Sequence, residues 1–96
     1  MISIVIITYN SNKYIYRCVE SILNSLIENI NIEIIIIDNN SNKKIKYIHS
    51  NCKIYQLNSN VGYSKALNYG VAKAKYENII TLNPDTYVLK NTIKNV

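Results

Sequence analysis

Short β-branched runs alternate along the chain with longer stretches in which apolar residues recur at helical spacing. The runs are too short for helices and predict four strands, at residues 2–8, 32–37, 53–57 and 79–82. The first two are apolar on both faces at their centres, which is typical of buried parallel strands. We therefore expect a sheet that is covered on both sides.

The longer stretches predict two main helices. Residues 13–27 repeat apolar side chains every three or four positions, and Asn10, Ser11 or Asn12 can cap their start. From Tyr63 the apolar positions again share one face, and Gly70 lies among them. A glycine costs a helix about 1 kcal/mol, so its presence predicts close approach to the sheet. A short helix within 43–50 and another element from 88 to 96 are also expected.

The alternation of strands and helices predicts an α/β fold, a doubly wound and mostly parallel sheet with helices on both faces. The predicted strand order 3-2-1-4 brings the ends of strands 1, 2 and 4 to the switch point, where such sheets bind ligands. The residues expected around that crevice are Thr8, Tyr9, Asn10, Asp38, Asn83 and Asp85.

Length and charge narrow the class of protein. Ninety-six residues make a single domain, 1–96. A net charge of +5 would suit nucleic acid, an anionic membrane or a phosphorylated ligand. The lysines are scattered except for Lys43, Lys44 and Lys46, so we prefer a solvated face and disfavour nucleic acid. With no signal peptide and no run of ~20 apolar residues, we expect a cytoplasmic protein, with peripheral association at the inner face of the membrane as one option.

Two of the six acidic residues, Asp38 and Asp85, follow the end of an apolar run. Asp85 can bind a divalent cation, because Mg²⁺ takes one or two carboxylates and completes its shell with substrate phosphates and water. Asp38 can accept hydrogen bonds from a base or a sugar hydroxyl, and Tyr9 can flank the base. The alternative is structural, since residues 83–86 also form an ordinary turn sequence.

Several classes of enzyme are disfavoured by what the sequence lacks. Neither the glycine-rich dinucleotide fingerprint nor a phosphate-binding loop follows a predicted strand, which argues against dehydrogenases and P-loop nucleotidases. Cys18 and Cys52 lack metal-ligand spacing, and the single His49 has no evident partner for nucleophilic catalysis.

Four segments, at 3–10, 34–41, 58–70 and 82–86, together resemble the family 2 glycosyltransferases of the GT-A fold. In that family the first segment lines the nucleotide base, the acid after strand 2 contacts base or ribose, and the third segment lies beside the nucleotide-sugar. The resemblance thus assigns nucleotide binding to Thr8, Tyr9, Asn10, Asp38, Asn60, Gly62, Asn68 and Asn83.

The family's Asp-x-Asp motif corresponds to Asn83-Pro84-Asp85. The resemblance implies that Asp85 ligates Mg²⁺ or Mn²⁺ and that Asn83 touches the ribose without adding charge. The Asn-Pro-Asp variant is similar to that of rhamnosyltransferase-like members, which favours a UDP- or dTDP-sugar as donor.

The resemblance implies an enzyme that transfers a sugar, with inversion, to a saccharide or lipid-linked acceptor in polysaccharide or cell-envelope glycan synthesis. The family's catalytic base lies further along the chain than Val96, so no catalytic residue is assigned here. We expect the N-terminal donor-binding half of a glycosyltransferase domain, apparently truncated and inactive alone. The alternative is a non-catalytic α/β interaction or nucleotide-binding module, for instance a homodimer.

Overall fold

The computed structural model describes residues 1–25, 31–46 and 51–86. Its elements follow in the order β1 Ile2–Thr8, α1 Asn12–Asn24, β2 Ile32–Asp38, β3 Cys52–Gln56, α2 Tyr63–Lys73 and β4 Asn78–Leu82. The four predicted strands and two predicted helices are therefore confirmed, and each strand boundary lies within one residue of its prediction.

Two predictions about shorter elements fare differently. Residues 43–46 are not helical, and the rest of the predicted short helix lies outside the described residues. The predicted element at 88–96, His49 and the last residues of the first predicted helix also lie outside the described residues. Within the described ranges, no helix has the length and apolar character needed to cross a membrane.

All pairs of neighbouring strands are parallel, and the sheet order is β3-β2-β1-β4, as predicted. β1 and β2 pair from Ile2 opposite Ile32 to Thr8 opposite Asp38. The last paired residue of β4, Leu82, lies opposite Ile6. The carboxyl ends of these three strands consequently meet at one edge of the sheet.

Alternate side chains of β1 and β2 enter two separate core layers, because successive residues of a strand point to opposite faces. Each layer is closed by one helix, which confirms helices on both faces of the sheet. The layer under α1 contains Ile4, Ile6, Ile34 and Ile36 with Ile15, Cys18, Val19 and Ile22. The layer under α2 contains Val5, Ile7, Ile35, Ile37 and Ala66.

Gly70 lets the backbone of α2 rest directly on the sheet. A Cβ at this position would lie 2.6 Å from Val5 Cγ1 and 3.1 Å from Ile37 Cγ1. Both contacts are with buried, branched side chains of the two central strands. The close approach predicted from the sequence is therefore confirmed, and the glycine is required by packing.

A buried carboxylate organises the opposite, amino edge of the sheet. Glu33 is 4% exposed, and its Oε2 accepts hydrogen bonds from Ser3 Oγ at 2.7 Å and from the Lys75 N–H at 3.0 Å. Its Oε1 has no hydrogen bond to the residues that the structure describes, but it lies 3.5 Å from Lys53 Nζ. Ser3 Oγ in turn accepts the Tyr76 N–H at 3.2 Å. This network anchors the connection between α2 and β4.

The same contacts set the charge of Glu33. Burial alone raises the pKa of this carboxyl, but the Lys75 N–H, the Ser3 hydroxyl and the positive charge of Lys53 outweigh it and lower the pKa below 4.5. Because the pKa is depressed in the folded protein, the network stabilises the fold above pH 4.5 and loses that contribution as the pH falls through the folded value.

The packing at Gly70 predicts that Gly70→Ala lowers the free energy of unfolding by about 1–2 kcal/mol. Because the added Cβ would lie only 2.6 Å from a buried side chain, we expect overpacking in the upper part of its usual range, about 2–3 kcal/mol, whereas alanine returns about 1 kcal/mol of helix propensity. Urea unfolding measures the change. Ala72→Gly, at an exposed position of the same helix, gives the propensity effect alone. A Gly70→Ala protein as stable as the parent would contradict the close packing.

The network at Glu33 predicts that Glu33→Gln lowers the free energy of unfolding by about 1–2 kcal/mol at pH 7, because hydrogen bonds to a charged acceptor are replaced by neutral ones. The difference from the parent should shrink as the pH falls from 4.5 through the lower pKa of Glu33 in the folded protein. Thermal unfolding between pH 3 and 7 tests this. Glu77→Gln, at an exposed position, is the control, and equal pH profiles for the parent and Glu33→Gln would refute the assignment.

Candidate nucleotide site

Two buried polar side chains meet at the carboxyl edge of the sheet. Thr8 and Asp38 are opposite each other in the β1–β2 ladder, and both are 0% exposed. Neither Thr8 Oγ1 nor Asp38 Oδ2 has a hydrogen-bond partner within the described part of the chain. Leaving a buried polar group unpaired costs about 1–3 kcal/mol, so the pair indicates a place where a ligand or water binds.

The other oxygen of Asp38 is already engaged. Oδ1 accepts the N–H of Ser41 at 2.9 Å, which closes a tight turn and fixes the plane of the carboxylate. Main-chain bonds extend the ladder past the strand ends, since the Asn39 N–H donates to the Thr8 carbonyl at 2.8 Å and the Leu57 N–H donates to the Asp38 carbonyl at 2.9 Å. One oxygen of Asp38 is thus fixed in place, and the other is a buried acceptor without a partner among the described residues.

The loop after β1 is held against the loop after β2. Asn10 has a φ of 53°, in the left-handed region that asparagine tolerates better than most residues. Its N–H donates to Ser41 Oγ at 2.7 Å, and its Oδ1 accepts the Asn42 N–H at 2.8 Å. The neighbouring Tyr9 is 48% exposed, which leaves its ring free to stack on a flat ligand.

Asn39 joins the loop after β2 to the start of α2. Its side chain accepts the Val61 N–H at 3.0 Å through Oδ1 and donates to the Gly62 carbonyl at 3.2 Å through Nδ2. Asn60 Oδ1 accepts the N–H of Gly62 at 2.9 Å, and Gly62 has a φ of 84°. The structure therefore places Asn60 and Gly62 in the loop beside the site, with their hydrogen-bonding groups shaping that loop.

The segment after β4 is a tight turn, in which the Thr86 N–H donates to the Asn83 carbonyl at 3.0 Å. Cys18 of α1 lies beneath it, with Sγ 3.8 Å from the same carbonyl oxygen. Burial, and secondly the negative charge of Asp85, raise the pKa of the Cys18 thiol to about 11. The thiol is therefore protonated at neutral pH and is a weak hydrogen-bond donor to the turn rather than a nucleophile.

The remaining sequence candidates differ in how the fold places them. Asn83 and Asp85 are exposed. They follow β4 at the edge of the sheet where β1 ends at Thr8 and β2 ends at Asp38. Asn68 is exposed on α2, and within the described ranges no hydrogen bond joins it to these loops. The structure thus brings together the candidates after three strands and leaves Asn68 apart from their bonded framework.

Asp85 offers a single carboxylate for a cation. No group of three or more His, Cys, Asp and Glu residues that could hold a metal occurs in the described ranges. Mg²⁺ commonly binds through one or two carboxylates and lets substrate phosphates and water complete its shell. The metal ligands that the described residues offer therefore fit a cation shared with a bound diphosphate. They do not fit a metal centre built from protein groups alone.

The sequence profile of glycosyl transferase family 2 matches residues 3–96. The chain belongs to that family. The minor teichoic acid biosynthesis protein GgaB of Bacillus subtilis (strain 168) is 33% identical to this family 2 chain over 101 residues, which cover 98% of the chain and 11% of GgaB. Glycosyltransferase GlyG of Streptococcus pneumoniae serotype 4 is 33% identical over 104 residues, which cover 98% of the chain and 33% of GlyG. The family 2 chain therefore spans at most about a third of these relatives.

Solved structures of another protein share the fold. Staphylococcus aureus TarS 1–349 in complex with UDP superposes with a TM-score of 0.82 at 26% identity, over 98% of this family 2 chain and 30% of that chain. The complex of TarS 1–349 with UDP-GlcNAc gives the same TM-score and identity, over 98% of this chain and 29% of that chain. The predicted α/β fold of a family 2 glycosyltransferase is thereby confirmed.

Sequence reasoning missed Asn39, which the structure makes the link between two loops of the site. We expect Asn39→Ala to lower the free energy of unfolding by about 1–3 kcal/mol, because its two side-chain bonds are lost and the partly buried Val61 N–H is left unpaired. Urea unfolding tests this against Asn68→Ala, at an exposed asparagine whose side chain has no hydrogen bond in the described ranges. Equal stability of the two variants would show that Asn39 does not join the loops.

Proposed function

We propose that the chain is the donor-binding part of a glycosyltransferase that uses a sugar linked to a nucleoside diphosphate. The observation that carries this proposal is the pair of buried, unpaired atoms Thr8 Oγ1 and Asp38 Oδ2 at the carboxyl edge of the sheet. Family membership supports it, as do the TarS complexes with UDP and UDP-GlcNAc.

The two atoms are complementary to one edge of a pyrimidine base. Asp38 Oδ2 is an acceptor only, whereas the Thr8 hydroxyl can donate or accept. Uracil and thymine present a ring N–H beside carbonyl oxygens, so one of these bases can satisfy both protein atoms. Tyr9 would flank the base with its exposed ring. Pairing of this kind supports UDP- or dTDP-linked donors and does not select among sugars, rhamnose included.

The turn after β4 would serve the rest of the donor. Asp85 would hold Mg²⁺ or Mn²⁺, and Asn83 would bond the ribose through its side-chain amide. When bound, the cation neutralises charge on the diphosphate leaving group. The carboxylate of Asp85 would orient the cation toward the diphosphate.

Inverting transfer to a saccharide or lipid-linked acceptor also needs a base that deprotonates the attacking hydroxyl. Asp38 is buried at the base site and Asp85 is assigned to the cation, so neither is available for that step. We therefore propose that the 96 residues bind the donor and that another part of an enzyme supplies the base.

The name of one relative supports a proposal for the biosynthetic process and the cellular location of the reaction. GgaB is named for minor teichoic acid biosynthesis, which favours a role in cell-envelope glycan synthesis. A cytoplasmic location, with peripheral contact with the membrane, would bring such an enzyme to both a soluble nucleotide-sugar and a lipid-linked acceptor.

Calorimetric titration with UDP tests the proposal, with and without Mg²⁺ or Mn²⁺. We expect Asp38→Asn to weaken UDP binding by about 10-fold or more, because a charged hydrogen bond to the base is lost. Asp85→Ala should instead remove the increase in affinity that the metal provides and leave metal-free binding unchanged. CDP, whose cytosine lacks the ring N–H, is the matched ligand control and should bind more weakly than UDP.

Two results would contradict the proposal. Unchanged UDP affinity in Asp38→Asn would remove the base site from the carboxyl edge. Absence of UDP binding together with a concentration-dependent mass would favour the non-catalytic interaction module instead.

A further inference from the structure

We propose that Ser41 is a positioning residue of the nucleotide site, which orients Asp38 through its backbone N–H and holds the Asn10 loop through its hydroxyl. The inference rests on the proposed function, since it concerns how the two loops present their groups to a nucleotide. Ser41 is bonded to Asp38 and to Asn10, so we expect its effect on a nucleotide to pass through these two residues.

Ser41 joins two loops that are far apart in the sequence. Its side chain is buried, and Oγ accepts the Asn10 N–H at 2.7 Å across 31 residues. Its own N–H donates to Asp38 Oδ1 at 2.9 Å. Asn40, with a φ of 69°, turns the chain so that this N–H points back to the carboxylate. One residue therefore bonds to a candidate base-contacting residue on each of the two central strand ends.

The bond to Oδ1 decides which oxygen of Asp38 is available. A carboxylate has two equivalent oxygens, and rotation about its last bond exchanges them. Because Oδ1 is held by Ser41, Oδ2 is the oxygen left unpaired beside Thr8. The acceptor is thus oriented before any ligand arrives, which reduces the ordering cost of binding.

The bond to the hydroxyl keeps Asn10 in its left-handed conformation. Asparagine adopts such a φ more readily than most residues, and the bonds of its N–H and side chain select this conformation here. Ser41 Oγ is the acceptor for the Asn10 N–H, and the Asn42 N–H to Asn10 Oδ1 bond of 2.8 Å depends on the same loop geometry. Loss of the hydroxyl should therefore release Tyr9 and Asn10 from the Asp38 turn.

Titration of the 96-residue chain with UDP tests this role. Ser41→Ala removes the acceptor for Asn10 but keeps the backbone N–H, and we expect UDP affinity to fall about five-fold, the equivalent of one hydrogen bond. Ser41→Thr retains the hydroxyl and should restore affinity relative to Ser41→Val, which has the same shape without it. Thr81→Val, at an exposed threonine of β4 whose hydroxyl has no hydrogen bond in the described ranges, should bind like the parent.

Amide hydrogen exchange gives a second readout that needs no ligand. Ser41→Ala should speed exchange of the Asn10 N–H by about five-fold or more while the Ile6 N–H, inside β1, keeps its protection. A general loss of stability would affect both amides. Unchanged exchange at Asn10 overturns the proposal.

The binding data separate the two hypotheses. If the parent binds UDP and Ser41→Ala binds it equally well, the role of Ser41 is refuted while the proposed function stands. If the parent binds no UDP, the proposed function fails, and the nucleotide role of Ser41 fails with it. In an Asn10→Ala background, in which the loop has already lost its bond to Asn42, Ser41→Ala should have a smaller effect than in the parent, because both substitutions act on the same loop; full additivity contradicts the proposal.

Discussion

The two central strands are buried on both faces, so every polar side chain within them must find its partner inside the protein or in a ligand. Two rungs of the β1–β2 ladder pair a hydroxyl with an acid, Ser3 with Glu33 and Thr8 with Asp38. At the amino edge, Ser3 and Glu33 bond to each other and to the chain entering β4, and the remaining Glu33 oxygen, Oε1, lies 3.5 Å from the ammonium group of Lys53. At the carboxyl edge, Thr8 Oγ1 and Asp38 Oδ2 have no hydrogen-bond partner among the described residues. We therefore interpret the Ser3–Glu33 pair as an anchor of the fold and the Thr8–Asp38 pair as part of a candidate site.

The Thr8–Asp38 pair is surrounded by loops that are joined to one another by hydrogen bonds. Asn39 bonds to the segment that starts α2, and Ser41 bonds to both Asp38 and Asn10. The loops after β1, β2 and β3 consequently form one hydrogen-bonded unit around two free polar atoms. Such an arrangement holds binding groups in place before the ligand arrives, and this preorganisation is what a selective site for a base requires.

The fold was largely predictable because its signals are local. β-branched runs, helical spacing and one glycine in a helix fix the elements, their burial and the close contact of α2 with the sheet. The networks were not predictable, because their partners are backbone N–H and C=O groups that no residue letter identifies. Glu33 depends on Lys75, 42 residues away, and Asn39 depends on Val61, 22 residues away. Asp38 could be predicted as a site residue because an acid after an apolar run is rare in this chain. Asn39 could not, because it is one asparagine among many.

The turn at Asn83-Pro84-Asp85 has a thermodynamic consequence for the proposed donor site. With asparagine at the first position, this edge offers one exposed carboxylate, and the buried Cys18 below it is a neutral thiol. A cation held by one carboxylate has most of its shell filled by water or phosphate, so its affinity for the free protein is low. If Asp85 holds the cation as proposed, the diphosphate supplies the missing ligands, and metal and nucleotide each strengthen binding of the other by the same factor. With that role for Asp85, the departure from two acids would make metal binding depend on the bound donor.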